Sequence, residues 1–93
     1  MRDYEDLNLE QLTIEKKRLK ALREEFKRLI KEVSNEIEKI DNKLCNFYGY
    51  ELAILRTERK NLKRTKKMFK NQIDKLNFEI ATVQTLLNHE KKE

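Results

Sequence analysis

A chain of 93 residues with 42% charged and 38% hydrophobic side chains is one domain at most, too periodic for simple disorder and too charged to enclose a large globular core. One glycine and no proline exclude folds that lean on tight turns and exclude a glycine-rich phosphate loop. A composition rich in Lys, Glu, Leu and Ile points instead to an all-α chain of long helices or coiled coil, with a net charge of +5.

The first segment, "MRDYEDLNLE", lacks the apolar core of a secretory signal. No apolar run anywhere approaches the ~20 residues of a membrane span. Cys45 is solitary and has no internal disulfide partner. Together these predict an intracellular protein, cytoplasmic or, in a eukaryote, nuclear, with no membrane partner.

Helix one is expected over about 5–46, with a start near Asn8 as the alternative because Asn8 and Gln11 have capping-box spacing. Its apolar stripe places Leu12, Leu19, Phe26, Val33, Ile40 and Phe47 at seven-residue steps. Leu22 and Leu29 follow that row by three residues, whereas Ile30, Ile37 and Leu44 follow it by four. A seam drawn through these residues drifts across the helix near Val33, as a stutter in a heptad pattern does. Up to residue 46 there are eleven basic and eleven acidic residues, so this part is neutral.

A turn is expected at about 46–50, where Gly49 follows Asn42 and Asn46; glycine just beyond a periodic segment is the usual helix stop. Helix two is expected over about 50–90. Its stripe runs Leu52, Leu55, Arg59, Leu62, Lys66, Phe69, Ile73, Leu76, Ile80, Val83, Leu87 in alternating steps of three and four, a helical period. Only Arg59 and Lys66 interrupt it.

Folded about residue 48, the two stripes meet: Leu44 faces Leu52, Val33 faces Leu62, Phe26 lies beside Phe69, Leu19 faces Leu76 and Leu9 faces Leu87. The expected fold is therefore a single domain over 1–93, a long antiparallel helical hairpin. The alternative is one continuous coiled-coil helix of about 85 residues, since a lone glycine costs a helix only ~1 kcal/mol. A shift of 43 residues also superimposes Leu9, Leu12, Glu15, Lys17, Leu19, Lys20, Phe26, Lys27, Ile30, Glu36, Ile37 and Leu44 on identical residues. Any two amphipathic Lys/Glu/Leu helices slide into partial identity, and that reading is preferred here to duplication.

Two helices bury one narrow face each, and small cores of that kind usually need a partner. Ile14, Ile54, Met68, Phe78 and Leu86 lie off the seam, where a second interface would use them. The expectation is a homodimer closing into a four-helix bundle, or binding to the helices of a partner protein.

Residues 55–70, "LRTERKNLKRTKKMFK", hold Arg56, Arg59, Lys60, Lys63, Arg64, Lys66, Lys67 and Lys70 against the single acid Glu58. On a helix these cations fill one arc rather than interleaving with acids, although like charges three and four residues apart repel. The preferred reading is contact with acidic side chains of a partner, for which Glu24, Glu25, Glu32, Glu36 and Glu38 are candidates, Arg59 and Lys66 fixing register and oligomer state. The alternative is non-specific binding of DNA or RNA phosphates. Phe47, Tyr48 and Tyr50 are expected to plug the hairpin end, with base stacking as the second choice.

Catalytic chemistry finds no footing. Cys45 and His89 are the only cysteine and histidine, which leaves no ordinary metal ligand set. Cys45 is expected to be a small buried hydrophobe beside the turn. The sequence thus predicts a non-enzymatic interaction module (an adaptor, regulator or assembly factor) with no cofactor, no metal and no small-molecule substrate.

Overall fold

The computed structural model describes Tyr4 and residues 7–92. They form two helices, α1 (Leu9–Leu44) and α2 (Gly49–Lys92), with no strand among the described residues. The helices lie antiparallel in a rod of 67 × 20 × 14 Å, so the chain is a hairpin and the continuous-helix alternative is set aside. Glu5, the expected first residue of helix one, lies outside the described residues.

α1 begins where Asn8 caps it. The extended backbone of Asn8 lets its Oδ1 accept from the Gln11 N–H at 2.8 Å, while Gln11 Oε1 accepts from the Asn8 N–H at 3.1 Å. A cap of this kind contributes ~1 kcal/mol by satisfying donors that have no intrahelical acceptor. α1 ends at Leu44, with the Asn46 N–H donating to the Lys43 carbonyl at 2.9 Å. Gly49 does not perform that stop. It opens α2 with φ +62°, five residues beyond the end of α1 at Leu44, and supplies the left-handed step that brings the chain into the second helix.

The seam departs from the sequence reading in an informative way. On α1, residues 12, 16, 19, 23, 26, 30, 33, 37, 40 and 44 are all buried or half-buried, and so is Phe47 in the turn beyond it. The stripe therefore keeps steps of three and four throughout, and no stutter occurs. Leu22, expected in the core, is instead 38% exposed, because Lys16 and Arg23 occupy the seam positions beside it. Their long aliphatic stems cover the seam while the charged heads reach its edge. There Lys16 donates to Gln84, and Arg23 donates to Asn77 at 2.9 Å. Arg59 does the same from α2, donating to Asp41 at 2.5 Å.

These three links are symmetrical about Tyr50, whereas Phe26 and Phe69, with ring centroids 5.8 Å apart, are symmetrical about a point between Phe47 and Tyr48. The expected register about residue 48 is thus close, with the polar links offset toward α2.

Tight packing is confined to the open end. Leu12, Leu19 and Val83 are almost completely buried, with Leu76, Ile80 and Leu87 around them and Tyr4 and Leu7 folded over that end. Leu9 stands 45% exposed instead of facing Leu87, since Tyr4 and Leu7 take that place. Toward the turn only Ile40 is buried; Phe26, Leu29, Val33, Ile37, Leu44, Leu52, Leu55, Leu62, Phe69 and Ile73 are half-buried.

The 43-residue shift acquires structural content here. It carries Lys16 onto Arg59 and Gln84 back onto Asp41, so Lys16–Gln84 and Arg59–Asp41 are equivalent links. Arg23 and Asn77 map in the same way onto Lys66 and Ser34, which are half-buried but share no hydrogen bond. The Lys16–Gln84 and Arg59–Asp41 links are thus related by an approximate internal two-fold, which the third link does not follow.

Candidate functional site

The cross-helix links define two edges of the hairpin. Asn77 and Gln84 of α2 and Asp41 of α1 mark one of them. Arg56, Lys63 and Lys70 precede Asn77 by whole heptads and so lie on this same edge, with Lys60 and Lys67 on the ridge beside it and Arg64 on the outer crest. These six are exposed; Arg59 and Lys66 sit half-buried in the seam. All eight candidates fall on one helix and form a strip about 21 Å long at ~1.5 Å per residue.

The electrostatics of the two helices differ. On α1 the acids are engaged locally: Lys27 with Glu24 at 3.3 Å, Arg28 with Glu25 and with Glu32 at 2.7 Å from the latter, and Lys39 with Glu36 at 3.3 Å. The hydrogen bond from Arg28 holds the Glu25 carboxyl below the usual carboxylate range, and the same bond raises the Arg28 guanidinium. Of the five helix-one acids offered as partners for the strip, only Glu38 makes no ion pair among the described residues. On α2, by contrast, only Arg59 of the eight cations has an ion-pair partner among the described residues, Asp41. The other seven present unneutralised charge.

The opposite edge has a different chemistry. Glu15, buried in spite of its charge, binds Arg18, whose Nε donates at 2.9 Å. Arg18 also feels the charge of Glu79 across the hairpin, and the Glu15 hydrogen bond is the main cause that raises its guanidinium. This places Glu15, Leu22 and Leu29 of α1 on the same side as Thr65, Glu79 and Leu86 of α2. Beyond them stand Met68 and Ile54, at 64% and 42% exposure. Near the turn, Tyr50, Ala53, Ile54, Thr57 and Glu58 line an open hollow of about 280 Å³.

The hairpin end is not the expected aromatic plug. Phe47 is half-buried, but Tyr48 and Tyr50 project into solvent, because the turn has too few residues to fold three rings back over a two-helix seam. Cys45 is exposed as well, since it caps α1 one residue beyond the seam position Leu44. His89, on the last turns of α2, lies at the other end of the rod from Cys45. No group of three or more His, Cys, Asp or Glu that could hold a metal occurs among the described residues, and none of their helices is long and apolar enough to cross a membrane.

Sequence reasoning missed Lys16, Arg23 and Glu15 as seam residues. The signal was available: the 43-residue shift aligns Lys16 and Arg23 with Arg59 and Lys66, which the stripe of helix two had already placed in the seam. Compared with known families, characterised proteins and solved structures, the chain matches none.

Proposed function

We propose that this protein is a small interaction module that works through the outer faces of its helices and carries out no catalytic step. The observation that carries this reading is the number of large apolar side chains left in solvent on so slender a rod: Ile14, Tyr48, Tyr50, Met68 and Phe78 are 59–82% exposed. They are spread along the rod rather than gathered in one patch, and together they leave more apolar surface in solvent than two helices can cover, which a second interface would use. The half-buried seam toward the turn adds to it, because a second hairpin or a partner's helix completes burial that two helices leave unfinished. Arg59 and Lys66 in that seam fit a role in limiting which partner and which register are accepted.

Sedimentation of the wild-type chain against a variant with Ile54, Met68 and Phe78 changed to Glu tests this. The expected result is a species of twice the 11.4 kDa chain mass that falls to the monomer in the variant while helicity is kept. A wild-type monomer at all concentrations, cooperatively folded and unchanged by the three substitutions, overturns self-association, and a failure of the variant to affect capture of any partner helix overturns the reading as a whole.

A second reading is favoured by the seven strip cations that lack acidic partners. On this reading α2 contacts nucleic-acid phosphates, with mostly sequence-independent affinity that falls steeply with salt. Changing Lys63, Arg64, Lys66 and Lys67 to Gln should then weaken binding to generic duplex and flatten its salt dependence. Unchanged affinity and slope in that variant remove the strip from the contact.

A further inference from the structure

The basic edge is not the property of α2 alone. Asp41 marks where α1 meets this edge, and Lys20 and Lys27 precede Asp41 by three and two heptads, which sets them on the same side; Lys17 lies on the adjoining ridge. All three are exposed. Under the 43-residue shift Lys17, Lys20 and Lys27 become Lys60, Lys63 and Lys70. Lys27 lies almost opposite Lys70, next to the internal two-fold. From there Lys20 and Lys17 run toward the open end on α1, while Lys63 and Lys60 run toward the turn on α2. The six lysines make one diagonal band that crosses from helix to helix, ~33 Å long at ~1.5 Å per residue. Five of the six have no ion-pair partner among the described residues, and Lys27 engages Glu24 at 3.3 Å. Asp41 stands on the edge itself at the turn end of the band, paired with Arg59, and Glu24, Glu38 and Asp74 lie on the ridges beside it.

We infer that this band lies along the backbones of double-stranded nucleic acid, with the hairpin's internal two-fold set on a dyad of the duplex. The inference rests on the second reading above and deepens it. A band rich in lysine, with no large apolar residue on either of its ridges, is unlike a protein-binding hot spot. Such interfaces are depleted in lysine and centre on aromatic, aliphatic or arginine anchors. Phosphates need no such anchor, only cations within reach of each charge. The length of the band matches about one turn of B-form duplex, roughly 34 Å, and two-fold protein surfaces pair with the two-fold of antiparallel strands.

The test is a fluorescence-anisotropy titration of a generic DNA duplex at several salt concentrations with the full-length chain and three triple variants, each checked for helicity. One is K17Q/K20Q/K27Q, the second K60Q/K63Q/K70Q, and the third, on the opposite edge, K39Q/K43Q/K75Q. All three remove the same formal charge. The first two should each lower affinity about tenfold or more and flatten the salt slope by about 2.7, at ~0.9 per lost phosphate contact, while the third changes either much less. If the α1 variant behaves like the opposite-edge control while the α2 variant loses binding, the two-helix band is overturned and the strip on α2 remains. Equal affinity for a single strand of the same length, or for polyglutamate, overturns the duplex assignment. No binding by the wild type at low salt overturns both the band and the reading beneath it.

Discussion

Arg59 donates from Nε to the Asp41 carboxylate across the seam at 2.5 Å, and Lys16 makes the equivalent reach to Gln84 from the other helix. Each helix therefore carries cations in positions that an apolar hairpin would give to leucine. Replacing Arg59 and Lys66 together with leucine should raise the urea midpoint modestly, because half-desolvated charges are exchanged for apolar packing. It should also broaden the set of oligomers seen in sedimentation, since a polar seam residue restricts register. A double variant less stable than the wild type would show that the cations hold the seam together.

Leu19 and Leu62 are equivalent under the 43-residue shift, yet Leu19 is almost wholly buried and Leu62 is half-exposed. Leu19→Ala should cost ~2–4 kcal/mol and Leu62→Ala closer to ~1 kcal/mol, the difference arising from the atoms that surround each leucine. Chemical denaturation followed by circular dichroism reads both. Equal losses would mean that Leu62 is covered in solution by something outside the single hairpin, and would support the self-association proposed above.

Gly49 sits at φ +62°, and a Cβ built there meets nothing within 4 Å. Gly49→Ala should therefore cost ~1–2 kcal/mol through backbone strain alone. Gly49→Asn should cost less, because asparagine tolerates the left-handed region better than alanine does. The two variants compared by thermal melting separate strain from crowding; an asparagine variant worse than the alanine one would point to crowding at the turn.

Glu25 has a folded-state pKa drawn below its ordinary 4.5, first by the hydrogen bond from Arg28 and then by that residue's charge. A depressed carboxylate stabilises the folded chain above its unfolded pKa, and that contribution disappears as pH falls through the folded value. Because the pair is exposed to solvent, its effect on helicity should be slight and confined to pH below the usual carboxylate range. A carboxyl carbon-13 titration should place Glu25 lower in the wild type than in Arg28→Gln. The same midpoint in both proteins would remove Arg28 as the cause.

Much of the architecture was legible from residue spacing. The stripe of helix two, interrupted in the sequence only by Arg59 and Lys66, is continuously buried or half-buried in the structure, and the sole glycine marks the turn because no other residue accepts the required φ so readily. The start of α1 could be read from Asn8 and Gln11, whose side chains bond only to near neighbours. What could not be read so directly was the seam of α1, because hydrophobic periodicity treats lysine and arginine as surface residues. Lys16 and Arg23 sit in the seam by their stems and at its edge by their heads. Leu22 reads as a core residue by spacing, although it stands on the edge of the seam beside Glu15 and Leu29 and is 38% exposed. The aromatic residues at the turn were misjudged for a related reason: composition shows that Tyr48 and Tyr50 are present, but only the geometry of the turn shows that they have nothing to pack upon. The charge of the strip was plain from the sequence, whereas its lack of acidic partners became visible only when the acids of α1 were found engaged along their own helix.

The turn is attached to the rest of the molecule by little more than one backbone bond, from Asn46 to Lys43, and by half-buried Phe47. Every seam contact joins α1 to α2 and is indifferent to whether both arms come from one polypeptide. If residues 45–48 and the left-handed step at Gly49 refold into helix, two chains can trade arms and rebuild the same register between molecules. The conformation of five residues thus stands between a short rod and an interlocked pair nearly twice its length.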